Sequence, residues 1–233
     1  FPDGFEYVIA NDIEDFKQKL DDSVCLVLME MIQGEGGVLP LDKTFVQEVT
    51  KLCHQKDVLV AVDEVQTGIG RTGSLFCYQQ YEIQPDIVSM AKGLGGGLPI
   101  GGIMTNEKCS TVLQAGMHGS TFGGNLMSTR AAMTVLSIIN QKEFLESVKE
   151  KGQYFMDALQ NIQTPDILEV RGMGLMIGVV VDEKKRAGFV KKLQEKGVLV
   201  LTAGSQAIRL LPPLIISKEE LDQVIQAFQE VFS

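Results

Sequence analysis

The sequence predicts an α/β protein in which a mostly parallel sheet covered by helices is followed by a smaller α+β domain. Three observations carry that prediction. Short apolar, strand-like runs alternate with an amphipathic helical pattern early in the chain, the βαβ rhythm of a parallel sheet. The character of the chain changes after the helical pattern that ends at Leu159, where further strand-like runs alternate with helices. Finally, 45% of the 233 residues are hydrophobic, enough for one large or two modest cores.

The elements follow in order. Phe1 and the run Pro2-Asp3-Gly4-Phe5 read as a connecting turn rather than the start of a domain, so the chain is expected to be a fragment. Residues 23–29 read as a strand. Residues 44–55 read as a helix with Phe45, Val49, Leu52 and Cys53 on related turns, and 58–62 as the next strand. The apolar runs at 86–90 and 100–104 are expected to extend the same sheet through right-handed crossovers. A helix is expected at 126–139, after Asn125, and another at 144–159. The domain boundary falls at Ile139, giving residues 1–139 and 140–233. In the second part, strands at 168–171, 175–181, 198–201 and 207–211 alternate with helices at 184–196 and 218–232. Ser217 and Glu220 form a capping-box pattern ahead of Leu221, Val224, Ile225 and Phe228, which recur at helical spacing.

Composition narrows the function classes. The net charge of −9, spread without a basic cluster, argues against a phosphate backbone as partner. No apolar run reaches the ~18 residues of a membrane span, and no leader pattern opens the chain. Cys25, Cys53, Cys77 and Cys109 are widely spaced, which favours reduced thiols and a cytoplasmic setting. His54 and His118 stand far apart with no paired cysteine, so no metal site is expected.

The chemistry concentrates at two strand ends. The run ending at Met90 delivers Ala91-Lys92 into Gly93-Leu94-Gly95-Gly96-Gly97-Leu98-Pro99-Ile100-Gly101-Gly102, where residues without side chains permit a close approach to the backbone. The run ending at Val62 delivers Asp63-Glu64-Val65-Gln66-Thr67-Gly68. Ligands of open parallel sheets bind beyond the carboxyl ends of strands, so Asp63 and Lys92 would share a crevice if their strands are neighbours. Pyridoxal phosphate needs this pair. A lysine amine forms a Schiff base with the cofactor aldehyde, and a carboxylate beside the pyridine nitrogen keeps the ring an electron sink. Taken alone, each residue has a plainer reading: Lys92 as a solvated loop lysine, Asp63 as a turn cap.

These segments, together with Gly119-Ser120-Thr121-Phe122-Gly123-Gly124-Asn125, resemble the class III pyridoxal-phosphate aminotransferases, and the likeness runs in order from Gln33-Gly34-Glu35-Gly36-Gly37 to Arg209-Leu210-Leu211-Pro212-Pro213. The resemblance implies a fold-type I aminotransferase. It implies pyridoxal 5′-phosphate bound by Lys92 and Asp63, with Val65 against the ring and Gln66 on its phenolic oxygen. Ser120 and Thr121 would reach the phosphate of a neighbouring subunit's cofactor, which makes a homodimer with a shared active site the expected assembly. Arg209 would grip a substrate α-carboxylate. Glu35 would mask that arginine when an ω-amine enters, and Glu30 would be a supporting acid. The expected reaction exchanges an amino group between N-acetylornithine, or a related ω-amine such as ornithine, 4-aminobutyrate or succinyl-diaminopimelate, and 2-oxoglutarate. The N-acetylornithine reading implies a role in arginine biosynthesis. Relatives carry an amino-terminal portion ahead of the point matched by Phe1. Met31, in place of a frequent proline, and Leu126-Met127-Ser128 depart from the family pattern.

Two rival readings remain at this point. Gly68-Ile69-Gly70-Arg71-Thr72-Gly73 matches a nicotinamide fingerprint, but no helix pattern opens at its third glycine and no ribose-binding acid follows at the expected distance. The other rival is a non-catalytic fragment that keeps the fold.

Overall fold

The computed structural model describes residues 3–232. Its contacts divide them into two compact units. The first takes in the described residues of Phe1–Met31, with Leu41–Gln66 and Tyr78–Val135. The second takes in Ile32–Pro40, Thr67–Cys77 and the described residues of Leu136–Ser233. Two earlier segments, 32–40 and 67–77, group with the carboxyl-terminal part through long-range contacts that no composition shift announces.

The first unit opens with α1 (Ile13–Lys19), an element the sequence reading does not include. Asp12 starts it, its carboxylate accepting from the Glu14 and Asp15 N–H groups. Strand β1 (Leu26–Met29) follows, and then a hairpin, β2 (Ile32–Gln33) with β3 (Leu39–Pro40), that belongs to the second unit. Helix α2 (Lys43–Gln55) leads to β4 (Leu59–Asp63), β5 (Ile87–Met90) and β6 (Gly102–Thr105). The sheet order is β1-β4-β5-β6. β1 pairs parallel with β4 and β4 with β5, the expected arrangement. β6 corrects the expectation of a continued parallel sheet, because it runs antiparallel to β5. The reason is the connection, residues 91–101, which folds as turns and contains no crossover helix.

Residues paired across strands share a face of the sheet. Val27, Met29 and Val60 lie on the face that packs with Phe16 and Leu20 around α1 and with Val49 and Cys53 of α2. The opposite face carries Leu28, Ala61, Asp63, Ser89 and Ile103. The two residues with chemistry on that face, Asp63 and Ser89, sit at its carboxyl end.

Helix α3 (Leu126–Ile139) starts at Asn125, whose Oδ1 accepts from the Ser128 N–H at 2.9 Å. After it come α4 (Lys142–Gln160), β7 (Ile167–Met173), β8 (Met176–Val181), α5 (Glu183–Glu195), β9 (Leu201–Ala203), β10 (Ala207–Leu210) and α6 (Lys218–Phe232). The second sheet is antiparallel throughout, in the order β7-β8-β10-β9. Its apolar face packs Ile177, Val179 and Ile208 with Phe155, Leu159, Leu221 and Phe228 from the helices. The Phe189 and Phe232 rings stack with centroids 4.3 Å apart. The capping box is formed in both directions: Ser217 N–H donates to Glu220 Oε2 at 2.8 Å, and Glu220 N–H to Ser217 Oγ at 3.2 Å. β9 lies later than the expected 198–201, because Val198 and Val200 pack against the core from an unpaired segment. Among the described residues, no helix is long and apolar enough to cross a membrane.

Candidate active site

Two clusters of functional side chains emerge, one in each unit. In the first unit, β4 and β5 are parallel neighbours, so their carboxyl ends meet at one edge of the sheet. Asp63 ends β4 and is paired in register with Ser89 of β5. Its Oδ1 accepts from the Val65 N–H at 2.8 Å and from Ser89 Oγ at 3.1 Å. Both bonds go to one oxygen, which leaves Oδ2 to accept from a ligand. The Glu64 N–H donates to Ser89 O at 3.0 Å and fixes the chain just beyond the strand.

Lys92 lies just past β5 and opens a 3-10 turn, Lys92–Gly95. Its φ of +46° is left-handed, uncommon in a residue with a side chain, and backbones of this kind gather at functional sites. The turn is closed by its main chain, with Leu94 N–H on Ala91 O at 3.0 Å and Gly96 N–H on Gly93 O at 3.2 Å. Lys92 itself is exposed, while Asp63, Val65 and Gln66 are half-buried. An amine and an oriented carboxylate at adjacent strand ends are the donor set that pyridoxal phosphate requires, so these residues fit that cofactor. Ser120 and Thr121 stand apart from this geometry, exposed on the connection between β6 and α3. Glu30 follows the last residue of β1 and is half-buried.

The second unit holds the other cluster. Arg209 sits on β10 and is buried, while Glu35 lies in the turn joining β2 to β3. Arg209 Nη1 donates to Glu35 Oε1 at 2.8 Å. The exposures are lopsided, 8% for the arginine side chain and 72% for the glutamate. Taking an anion away from a buried guanidinium is costly, whereas the glutamate side chain already stands mostly in water. A cleft of about 210 Å³ adjoins Arg209, lined also by Leu201, Leu211, Pro212 and Pro213. A larger open groove of about 660 Å³, lined by Gln47, Lys51, His54 and Glu82, shares no residue with either cluster.

Three side chains near these clusters escaped the sequence reading. Ser89 is the hydroxyl in an otherwise apolar strand, and that oddity was its signal. Arg71 donates from Nη1 to Pro212 O at 2.6 Å and to Leu175 O at 3.0 Å, tying down the chain that leaves β10. Burial lowers its guanidinium to about 10, so it remains charged at neutral pH. Arg171 holds the Glu35 turn. Residues 65–76, which include the glycine fingerprint, form turns rather than the strand-to-helix junction of a dinucleotide site.

Residues 3–232 match the class III aminotransferase family. The chain is 44% identical over 232 residues to an acetylornithine aminotransferase of Caldanaerobacter subterraneus subsp. tengcongensis, a match covering 99% of this chain and 59% of that protein. With an acetylornithine aminotransferase of Haemophilus ducreyi it shares 46% identity, over 100% of this chain and 59% of the relative. The chain thus spans about three fifths of the length of these curated relatives. Among solved structures, the ornithine aminotransferase of Toxoplasma gondii ME49 superposes with a TM-score of 0.94 at 34% identity, covering 100% of this chain and 57% of that one. A second structure of the Toxoplasma gondii enzyme has pyridoxal phosphate at partial occupancy in its active site.

Proposed function

The chain belongs to the class III aminotransferases, with the fold-type I architecture of its structural neighbours, and from that premise we propose that it is the lysine-bearing part of a pyridoxal-phosphate transaminase. The proposed reaction exchanges an amino group between N-acetylornithine and the 2-oxoglutarate/glutamate pair, a step of arginine biosynthesis carried out in the cytoplasm. The single observation that carries this reading is the placement of Lys92 and Asp63 at the ends of adjacent parallel strands, with the Asp63 carboxylate already oriented by Val65 and Ser89. The substrate rests on the acetylornithine aminotransferases among the relatives.

When bound, pyridoxal phosphate supplies an aldehyde carbon for the amine and a protonated ring that withdraws electrons from the reacting carbon. Lys92 Nζ would hold the cofactor and, once released, would carry the proton from the substrate carbon to the cofactor carbon. Asp63 would hold the ring-nitrogen proton, Val65 would pack against the ring, and Gln66 would bond its phenolic oxygen. Arg209 receives the α-carboxylate of glutamate or 2-oxoglutarate in a two-pronged contact. Glu35 occupies that guanidinium while the ω-amine substrate is bound, and Glu30 serves as a supporting acid.

We assign a homodimer in which Ser120 and Thr121 serve the cofactor phosphate of the partner. The support is the apolar exposure around them: Leu113 is 67% exposed, Phe122 81% and Leu126 86%, more than a single soluble copy leaves in water without a reason. The protein, supplied with pyridoxal phosphate and 2-oxoglutarate, tests the reading when offered N-acetylornithine, ornithine, 4-aminobutyrate and succinyl-diaminopimelate in turn. N-acetylornithine should give the highest kcat/KM. A preference for one of the other three corrects the substrate, and amine transfer from none of the four removes the function.

A further inference from the structure

The turn that presents Glu35 is built around two arginines and the glycine between them. Arg171 on β7 and Arg209 on β10 are each paired in register with Gly178 of β8, so all three lie side by side on one face of the second sheet. Gly178 has no side chain, and the turn settles into the space it leaves. A Cβ at Gly178 would stand 2.9 Å from Val38 Cβ. On one flank, Arg171 Nη2 donates to Gly37 O at 2.9 Å and its Nε to Val38 O at 3.0 Å. On the other flank, Arg209 takes the carboxylate of Glu35. One arginine grips the main chain of the turn and the other its side chain.

The turn needs such a grip. Val38 is fully buried with φ +54°, a left-handed conformation that is a true outlier for a β-branched residue. Strain of that kind persists only where the surroundings over-determine it. Arg171 supplies the restraint from β7, and the Gly204 N–H, bonded to Glu35 O at 2.8 Å, supplies it from the β9–β10 turn. Arg171 is itself steadied by Glu169 at 2.8 Å.

We propose that Arg171 is a positioning residue for substrate selection, fixing the main chain of the 34–38 turn so that Glu35 engages and releases Arg209 by side-chain rotation alone. An exposed carboxylate on a loose turn would lose its contact to ordering entropy, because such ion pairs are weak. Anchoring removes that cost and lets the pair compete with an incoming α-carboxylate. The inference rests on the masking role proposed for Glu35.

The test compares Glu35→Ala, Arg171→Met and the double variant in the protein loaded with pyridoxal phosphate. The readout is the ratio of kcat/KM for glutamate to that for N-acetylornithine. Glu35→Ala should raise the ratio, and Arg171→Met should raise it in the same direction by roughly three- to tenfold. Added to Glu35→Ala, Arg171→Met should change the ratio less than about twofold, since the two act through one contact. Amide exchange in the peptide spanning 32–40 should quicken in Arg171→Met and keep its parental rate in Glu35→Ala. Gly178→Ala keeps Arg171 but lifts the turn, and should shift the ratio as Arg171→Met does, even if the latter folds poorly. A ratio that moves with Glu35→Ala but with neither Arg171→Met nor Gly178→Ala overturns the positioning role and leaves the mask intact. Fully additive effects in the double variant overturn it as well. No shift with Glu35→Ala removes the mask, and the inference with it.

Discussion

Ser89 stands directly across from Asp63 in the sheet and donates its hydroxyl to Asp63 Oδ1 at 3.1 Å. With the Val65 N–H on the same oxygen, this contact turns a strand-end carboxylate into an oriented acceptor. The two residues should then differ in rank. Asp63→Asn removes the charge that would hold a ring-nitrogen proton and should lower kcat by at least about a hundredfold. Ser89→Ala removes one hydrogen bond to a charged group, and kcat should fall by about tenfold. Steady-state kinetics on the two variants check the order, and equal effects would mean that Asp63 acts only as a turn cap.

Lys92 carries the strongest single prediction. Lys92→Ala should abolish turnover while leaving the fold intact, because the side chain is exposed and leaves no cavity when trimmed. Borohydride treatment of the loaded protein followed by peptide mapping should place the cofactor on Lys92. A label on any other lysine sinks the assignment.

The lopsided burial of Arg209 and Glu35 makes their variants asymmetric. Arg209→Lys keeps the charge but cannot make two parallel hydrogen bonds, so KM for 2-oxoglutarate should rise about tenfold or more, with a smaller change for N-acetylornithine. Glu35→Ala should leave 2-oxoglutarate binding as good or better and weaken selection for the ω-amine. Unchanged selection in Glu35→Ala would show that the ion pair in the structure is not a mask.

Much of this was legible in the sequence, and the remainder was hidden for physical reasons. β4, β5 and α6 declared themselves through apolar runs and a capping box, which are local signals. The position of Asp63 and Lys92 just at or beyond two strand ends was legible from the apolar runs before them, whereas the pairing of those two strands was not. The direction of β6 turns on residues 91–101 folding without a crossover helix, and the place of the β2–β3 hairpin in the second unit and the ladder Arg171–Gly178–Arg209 depend on pairings between distant residues. α1 had a local signal, Asp12 ahead of Ile13, Phe16 and Leu20, too short to stand out without the α2 surface it packs on.

The capping box of α6 gives a stability prediction independent of function. That helix contributes Leu221, Ile225, Phe228 and Phe232 to the second core, so loosening its first turn is felt in global unfolding. Ser217→Ala deletes the acceptor for the Glu220 N–H and should cost about 1 kcal/mol, read as a lower urea midpoint at unchanged slope.

The cysteines give a final test through their differing environments. All four are free thiols, and of these only Cys25 is exposed. Burial, with a smaller contribution from Asp86, pushes the Cys53 thiol up to about 11. At pH 8 only about one Cys53 in a thousand would be thiolate even without steric protection, so iodoacetamide should modify Cys25 first and reach Cys53 only on unfolding. The same shift has a consequence for stability. Below about pH 9 the thiol is protonated in both states and its contribution is constant. Between about 9 and 11 the unfolded chain releases the proton while the folded chain keeps it, so stability falls as pH rises. Urea titrations across that range should therefore show a shallower alkaline decline for Cys53→Ala than for the parent protein, and parallel declines would place the buried thiol outside the alkaline transition.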